Sequence, residues 1–197
     1  MTDTAAPTQY DVIAIGNAIV DVIAPVTDAF LEAEELPKGT MRLIDAERSV
    51  DLYEKMGPAQ EISGGAAANT LTGATMLGLK TAFIGQVADD QLGEIYRHDL
   101  TSVGVSFDTP ARPYGDSDDQ PPTGRCLISV TPDAERSMAT FLGAAGHVAP
   151  DDVADAVQGA GAAWLKIDQF LRIKVKRAVE KQLCGLQKGA GANNAGK

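Results

Sequence analysis

Long apolar runs, cysteine and, over most of the chain, positive charge are what this 197-residue sequence has little of. No apolar stretch reaches the roughly 18 residues that a membrane span requires, so no membrane-spanning helix is expected. Met1 to Pro7 is polar and uncharged apart from Asp3, unlike a secretory signal. The two cysteines, Cys126 and Cys184, lie far apart and give neither a disulfide framework nor metal-ligand spacing. His98 and His147 have no second His or Cys close by, so a surface role is expected for both. A reducing, cytoplasmic setting follows as the default. The net charge of -10 argues against nucleic acid or anionic membrane as a partner.

What is present suits a globular core: 44% of residues are apolar and 22% charged, which excludes wholesale disorder. The length fits one ordinary domain or a piece of a larger one. Charge is unevenly placed. Residues 1–164 carry 9 Lys and Arg against 25 Asp and Glu, whereas residues 165–197 carry 8 against 2. Such asymmetry marks a basic arm or a foreign tail.

The apolar run YDVIAIG (10–16) predicts a buried strand of the parallel type. A second strand is expected over 20–26, then a helix over 29–35 with Asp28 as its cap. Further expectations are a short strand at 41–45 and a helix over 46–56, with Val50, Leu52, Tyr53 and Met56 as its apolar residues. Ser63-Gly64-Gly65 leads into a helix that runs through Leu77 and ends at Gly78. A strand over 81–85 precedes a helix capped by Asp89 or Asp90 and stopped at Gly104 by a left-handed turn. This alternation points to an α/β fold with a largely parallel sheet. The texture then changes. Residues 109–124, rich in Pro, Gly and Asp, read as a loop, and 125–131 with 135–142 as an antiparallel hairpin around Pro132-Asp133. A helix over 151–159 and a strand over 162–167 follow.

Two segments carry candidate chemistry: Gly16-Asn17-Ala18-Ile19-Val20-Asp21 at the end of the first strand, and Gly64-Gly65 with Asn69 where a helix begins. Ligands of open α/β sheets gather beyond the carboxyl ends of strands. A carboxylate there can accept from both hydroxyls of a vicinal diol, while glycines admit the ligand to the backbone and a helix start adds donors. Residue types alone fit a strand-end turn and a close-packed helix equally well.

The stretch SGGAAANTLTGATMLGLKTAFIGQVADDQLG (63–93) resembles the first signature of the ribokinase-like, PfkB-type sugar and nucleoside kinases, with Gly64, Gly65, Asn69, Gly73, Gly78, Gly85, Asp89 or Asp90, and Gly93 in place. YDVIAIGNAIVDV (10–22) is similar to that family's first strand and substrate Asp, and PTGRCLISVTPDAERSMATFLGAA (122–145) to its later hairpin in the adenosine-kinase-like branch. The resemblance implies the N-terminal part of a three-layer α/β/α sandwich over residues 1–164, with a small β lid built from about 20–26, 41–45 and 125–142. It implies that Asp21 and Asn17 hold sugar hydroxyls, that Gly64, Gly65 and Asn69 approach the same sugar, and that Thr140 and Leu142 line a base pocket. Arg136 would lie near the transferred phosphate. ATP and Mg are the implied cofactors, and a small nucleoside or sugar the implied partner; oligomeric state is left open.

The resemblance is expected to stop at about Trp164-Leu165, where the charge changes sign. Residues 165–197 then read as an atypical basic tail left by truncation or a frameshift. Gly189-Ala190-Gly191 resembles the family's catalytic G-A-G-D turn, but Ala192 stands in place of its Asp. No catalytic residue is identified in consequence, and the chain is expected to bind without transferring phosphate; Asp168 is the first substitute base to test should it turn over. A non-catalytic nucleoside- or sugar-binding module with a basic interaction tail is the alternative. A nicotinamide-dependent oxidoreductase is disfavoured because Gly16 is not followed by G-x-x-G. Asp116, Asp118 and Asp119 read as a solvated loop tip rather than a metal site. The formal G-x-x-x-x-G-K at 191–197 lacks the strand, Ser/Thr and helix that a phosphate loop needs.

Overall fold

A computed structural model describes residues 9–115, 117, 119–153 and 164–167. Val12–Ile15 (β1) and Thr81–Ile84 (β5) are the apolar runs of the sequence, and burial on both faces places them in a parallel sheet. β1 is central, with β5 parallel on one side and Trp164–Ile167 (β8) parallel on the other. The strand expected over 162–167 is therefore present, and it runs through residue 165, where the basic segment begins. The outer edge of β5 is lined by residue 106: Phe83 N–H donates to Ser106 O at 2.8 Å, and Ser106 N–H to Thr81 O at 3.0 Å.

A second sheet stands apart from the first. Ile19–Pro25 (β2), Met41–Leu43 (β3), Gln60–Ser63 (β4), Gly124–Val130 (β6) and Arg136–Phe141 (β7) form it in the order β3-β7-β6-β2-β4. β6 and β7 are the expected antiparallel hairpin, whereas β2 runs parallel to β6 and β3 parallel to β7. Alternation sorts its two faces. Val20, Val22, Ala24, Leu127 and Ala139 point into the main core, joined there by Leu31, Leu52, Leu71, Phe83, Tyr96 and Leu100. The opposite face carries Ile19, Asp21, Ile23, Cys126, Ile128 and Thr140. β4 was not legible in the sequence. Its residues, QEIS, show no apolar alternation, and pairing with β2 makes the strand.

The helices are Asp28–Ala33 (α1), Ala46–Lys55 (α2), Ala66–Met76 (α3) and Gln91–Ser102 (α4). α1 corrects an expectation: Thr27 caps it by accepting from Phe30 N–H at 3.2 Å, and Asp28 lies inside the first turn. Leu52 on α2 and Met56, its C-cap, are the buried apolar residues here. Val50 and Tyr53 stay 46% and 37% exposed, because only one stripe of this helix meets β6 and β7. Asp45 caps α2 through Arg48 N–H at 2.8 Å. Gly78 and Gly104, at φ 91° and 94°, follow the ends of α3 and α4 as expected. A 3-10 turn, Gly143–His147, follows β7 and contains His147, which is half-buried. A helix begins at 150, and the remainder of the stretch expected to 159 lies outside the described residues.

Asp90, not Asp89, caps α4, and it does more than cap. One oxygen accepts from Gly93 N–H at 2.8 Å and from the Thr123 hydroxyl at 2.6 Å, and the other accepts from Thr123 N–H at 2.8 Å. The Thr123 hydroxyl in turn accepts from Ala88 N–H at 2.9 Å. This half-buried carboxylate thus fastens the start of β6 to the start of α4. Loss of a cap commonly costs about 1 kcal/mol, and the stranded Thr123 donors add a similar amount. Asp90→Ala should therefore lower the stability measured by urea unfolding by about 2 kcal/mol, and a change below about 0.5 kcal/mol would contradict the role.

Candidate functional site

The site lies where the chain crosses between the two sheets. β1 ends at Ile15, and Gly16-Asn17-Ala18 carries the chain into β2, placing Asn17 beyond a strand end and Asp21 early in the second sheet. Gly64-Gly65 makes the return crossing, from β4 to α3. The two crossings touch. Gly64 N–H donates to Ile19 O at 2.8 Å. A Cβ on Gly64 would sit 2.5 Å from both carboxylate oxygens of Asp21, and one on Gly65 would sit 2.6 Å from Asn17 O. Gly65 also adopts φ +92°, the region that side chains avoid. Both glycines are required here, one by its conformation and both by close approach.

Asp21 is half-buried, and no cation or hydrogen-bond donor reaches its carboxylate among the described residues. Burial pushes its pKa from the ordinary 3.8 up to about 6. A carboxylate held this way is an acceptor short of donors. Asn17, at the same crossing, is 3% exposed. Asn69 lies one turn into α3 with its side chain exposed, so the structure sets it near the Gly64-Gly65 turn but not against Asp21.

Register carries the site across the second sheet. Asp21 pairs with Cys126, and Cys126 pairs with Thr140, so the three stand in one row on one face. The Thr140 hydroxyl donates to Cys126 Sγ at 3.2 Å. Burial pushes the Cys126 thiol up to about 11, with the Asp21 charge adding to the effect, so it stays protonated at neutral pH. Ile19, Cys126, Ile128 and Ala145 form a small apolar cluster beside the carboxylate, and Leu142 packs against it. Arg136 is exposed at the first residue of β7, four residues from Thr140, or roughly 13 Å at the rise of a strand.

Of the expected residues, the fold therefore brings together Asn17, Asp21, Gly64 and Gly65, with Thr140 and Leu142 on the same face, and keeps Arg136 at a distance. Ile19 and Cys126 belong to this face and were missed. Strand parity could have found them, since both alternate in step with Asp21 and Thr140. His98 is exposed on α4, as is Asp119 in its loop, while Asp116, Asp118, Asp168 and the stretch 191–197 lie outside the described residues.

The pattern of the pfkB family of carbohydrate kinases matches residues 11–192, running past residue 165. The chain is 30% identical over 148 residues to an adenosine kinase from Saccharomyces cerevisiae, covering 71% of this chain and 41% of that protein. Among solved structures, an adenosine kinase from Sinorhizobium meliloti is 49% identical at a TM-score of 0.71, covering 81% of this chain and 47% of that one. A probable sugar kinase from Rhizobium etli is 45% identical at a TM-score of 0.72, covering 82% and 47%. The chain spans less than half the length of these relatives.

Asp21 gives a measurable consequence. Its folded pKa lies above the unfolded value, so protonation favours the folded state. That contribution is fully present below about 3.8 and is lost as pH rises through about 6. The Asp21 carboxyl carbon should titrate in NMR with a midpoint near 6. At pH 7.5, Asp21→Asn should raise the thermal midpoint by about 2–4 °C, a gain of about 1 kcal/mol after discounting for the solvent that reaches this carboxylate. A midpoint near 4, or a destabilised Asn variant, would contradict the burial argument.

Proposed function

The chain belongs to the pfkB family of carbohydrate kinases, and we propose that its Asp21 site recognises the hydroxyls of a ribose, with adenosine the first candidate ligand and a simple sugar the second. The observation that supports this reading is the half-buried carboxylate, without a donor among the described residues, pressed onto the Gly64 backbone at the end of β4. Vicinal hydroxyls supply two donors to such an acceptor, and each charge-assisted bond is worth about 1.5–3 kcal/mol. Asn17 and Gly65 meet at the same crossing, and Asn69 lies one turn further into α3. Ile19, Cys126 and Leu142, with Thr140 beside them, make the surroundings of this face apolar, which suits a ligand carrying a nucleobase better than a bare sugar. The similarity to adenosine kinases from Saccharomyces cerevisiae and Sinorhizobium meliloti points the same way. The probable sugar kinase from Rhizobium etli keeps the second candidate in play. In this reading the second sheet is a lid over the sugar, shielding it from water.

Membership in a kinase family implies use of ATP. Among the described residues, no cation stands beside Asp21 to meet a triphosphate. None of the described His, Cys, Asp and Glu side chains form a group of three that could hold a metal ion, and Arg136 stands exposed and apart from Asp21. Transfer to a hydroxyl needs a base at that hydroxyl and preorganised donors for the moving phosphoryl group. Among the described residues, neither is assembled around Asp21. We assign to this chain the recognition of substrate rather than its phosphorylation, with cofactor binding left to the remainder of the family fold.

Isothermal calorimetry with adenosine and with ribose tests the assignment. Adenosine should bind more tightly than ribose, and Asp21→Ala should weaken adenosine binding tenfold or more. Incubation with adenosine, ATP and Mg should yield no AMP above background. Equal affinity in the Ala variant would remove the ribose reading, and robust turnover by a chain of confirmed mass would remove the recognition-only reading.

A further inference from the structure

The Gly64-Gly65 turn cannot fix its own position, because it has no side chains to pack and Gly65 sits at φ +92°. One hydrogen bond, from Gly64 N–H to Ile19 O, ties it to β2, the strand that also carries Asp21. That bond moves with Asp21, and on its other side the turn runs through the permissive Gly65 into α3, which packs on β1 and β5. Two further bonds come from α4. Asp99 accepts from Ser63 N–H at 2.9 Å, and the Tyr96 hydroxyl donates to Gly64 O at 3.3 Å. Tyr96 and Asp99 are three residues apart and so share one face of the helix.

The Tyr96 hydroxyl is delivered from a rigid base. The side chain is completely buried, with ring centroids 6.0 Å from Phe83 on β5 and 5.8 Å from Phe107. Arg97 covers Phe107 at 4.5 Å from its ring centre. The other end of α4 holds the start of β6 through Asp90 and Thr123. One helix, packed along β4 and reaching β5 through the Tyr96 ring, thus grips two of the places where the chain passes between the sheets.

We propose that Tyr96 and Asp99 are positioning residues, which hold the Gly64-Gly65 turn at the angle that sets the Asp21 carboxylate and the start of α3 around one ligand. The proposal rests on the ribose reading of Asp21 for its ligand, but not for its geometry. Loss of either bond frees the turn to swing about Gly65 without opening the core.

Hydrogen exchange and calorimetry on the 197-residue chain test it together. In Asp99→Ala and Tyr96→Phe, the Gly64 amide, itself bonded to Ile19, should exchange at least tenfold faster, while amides of β1 and β5 keep their rates. Adenosine affinity should fall about tenfold in both. Asp99→Asn, which keeps an acceptor oxygen in place, should restore both readouts, which a general loss of stability would not allow. Unchanged Gly64 exchange in both variants overturns the proposal, as does unchanged affinity when the parent chain binds adenosine. Should Asp99→Ala fail to fold, Tyr96→Phe, which keeps the packed ring, decides. If the parent chain binds neither adenosine nor ribose, the ribose reading falls and the exchange rates alone judge the positioning role.

Discussion

The approach of a bare backbone, Gly64-Gly65, onto Asp21 and Asn17 governs how the two sheets meet. A single methyl at either glycine would collide with a carboxylate or a carbonyl oxygen that belongs to the opposite crossing. The same closeness strips water from Asp21 with no donor among the described residues to replace it, and its raised pKa follows from that burial. Fold geometry and site chemistry are therefore one constraint seen twice. The turn lets the sheets touch, and touching creates an acceptor that a ligand can satisfy.

Around that contact the molecule divides its work between two faces of one sheet. Val20, Val22, Ala24, Leu127 and Ala139 are wholly or nearly hidden against the helices and carry the stability. The alternate residues Ile19, Cys126 and Thr140 are buried too, and share their face with one half-buried carboxylate, Asp21. The surface ion pairs contribute little by comparison, though they shape the periphery. Lys38 lies 2.6 Å from Asp28 and 2.7 Å from Asp133, joining α1 to the turn between β6 and β7 and pulling the Asp133 carboxyl down to about 2. Arg48 bonds Glu34 and its carbonyl, closing the exposed end of α1.

Much of this was legible in residue order. β1, β2, β5, β6 and β7 announced themselves by apolar runs or by alternation, and the helix ends by Asp90, Gly78 and Gly104, because these signals arise from local physics. β4 did not, since QEIS becomes a strand only by borrowing the edge of β2. Asp28 was expected as a cap where Thr27 serves, a shift of one residue that depends on which backbone leaves the helix first. At the site, Asn17, Asp21, Gly64 and Gly65 were recognisable from a family resemblance, whereas Cys126 needed the register of β2 on β6. Tyr96 and Asp99 were invisible because their role lies in a contact with a segment more than thirty residues away.

The account stands on Asp21 and the glycine turn answering together when a ligand arrives. Two-dimensional NMR of the labelled chain, titrated with adenosine at pH 7, reads both at once. The amides of Gly64 and Gly65 and the carboxyl carbon of Asp21 should shift along a single binding curve, with the Cys126 and Thr140 amides following. Shifts confined to the separate cavity of about 350 Å³ lined by Tyr10, Phe83, Ser106 and Asp108, with Asp21 and the glycines unmoved, would contradict it.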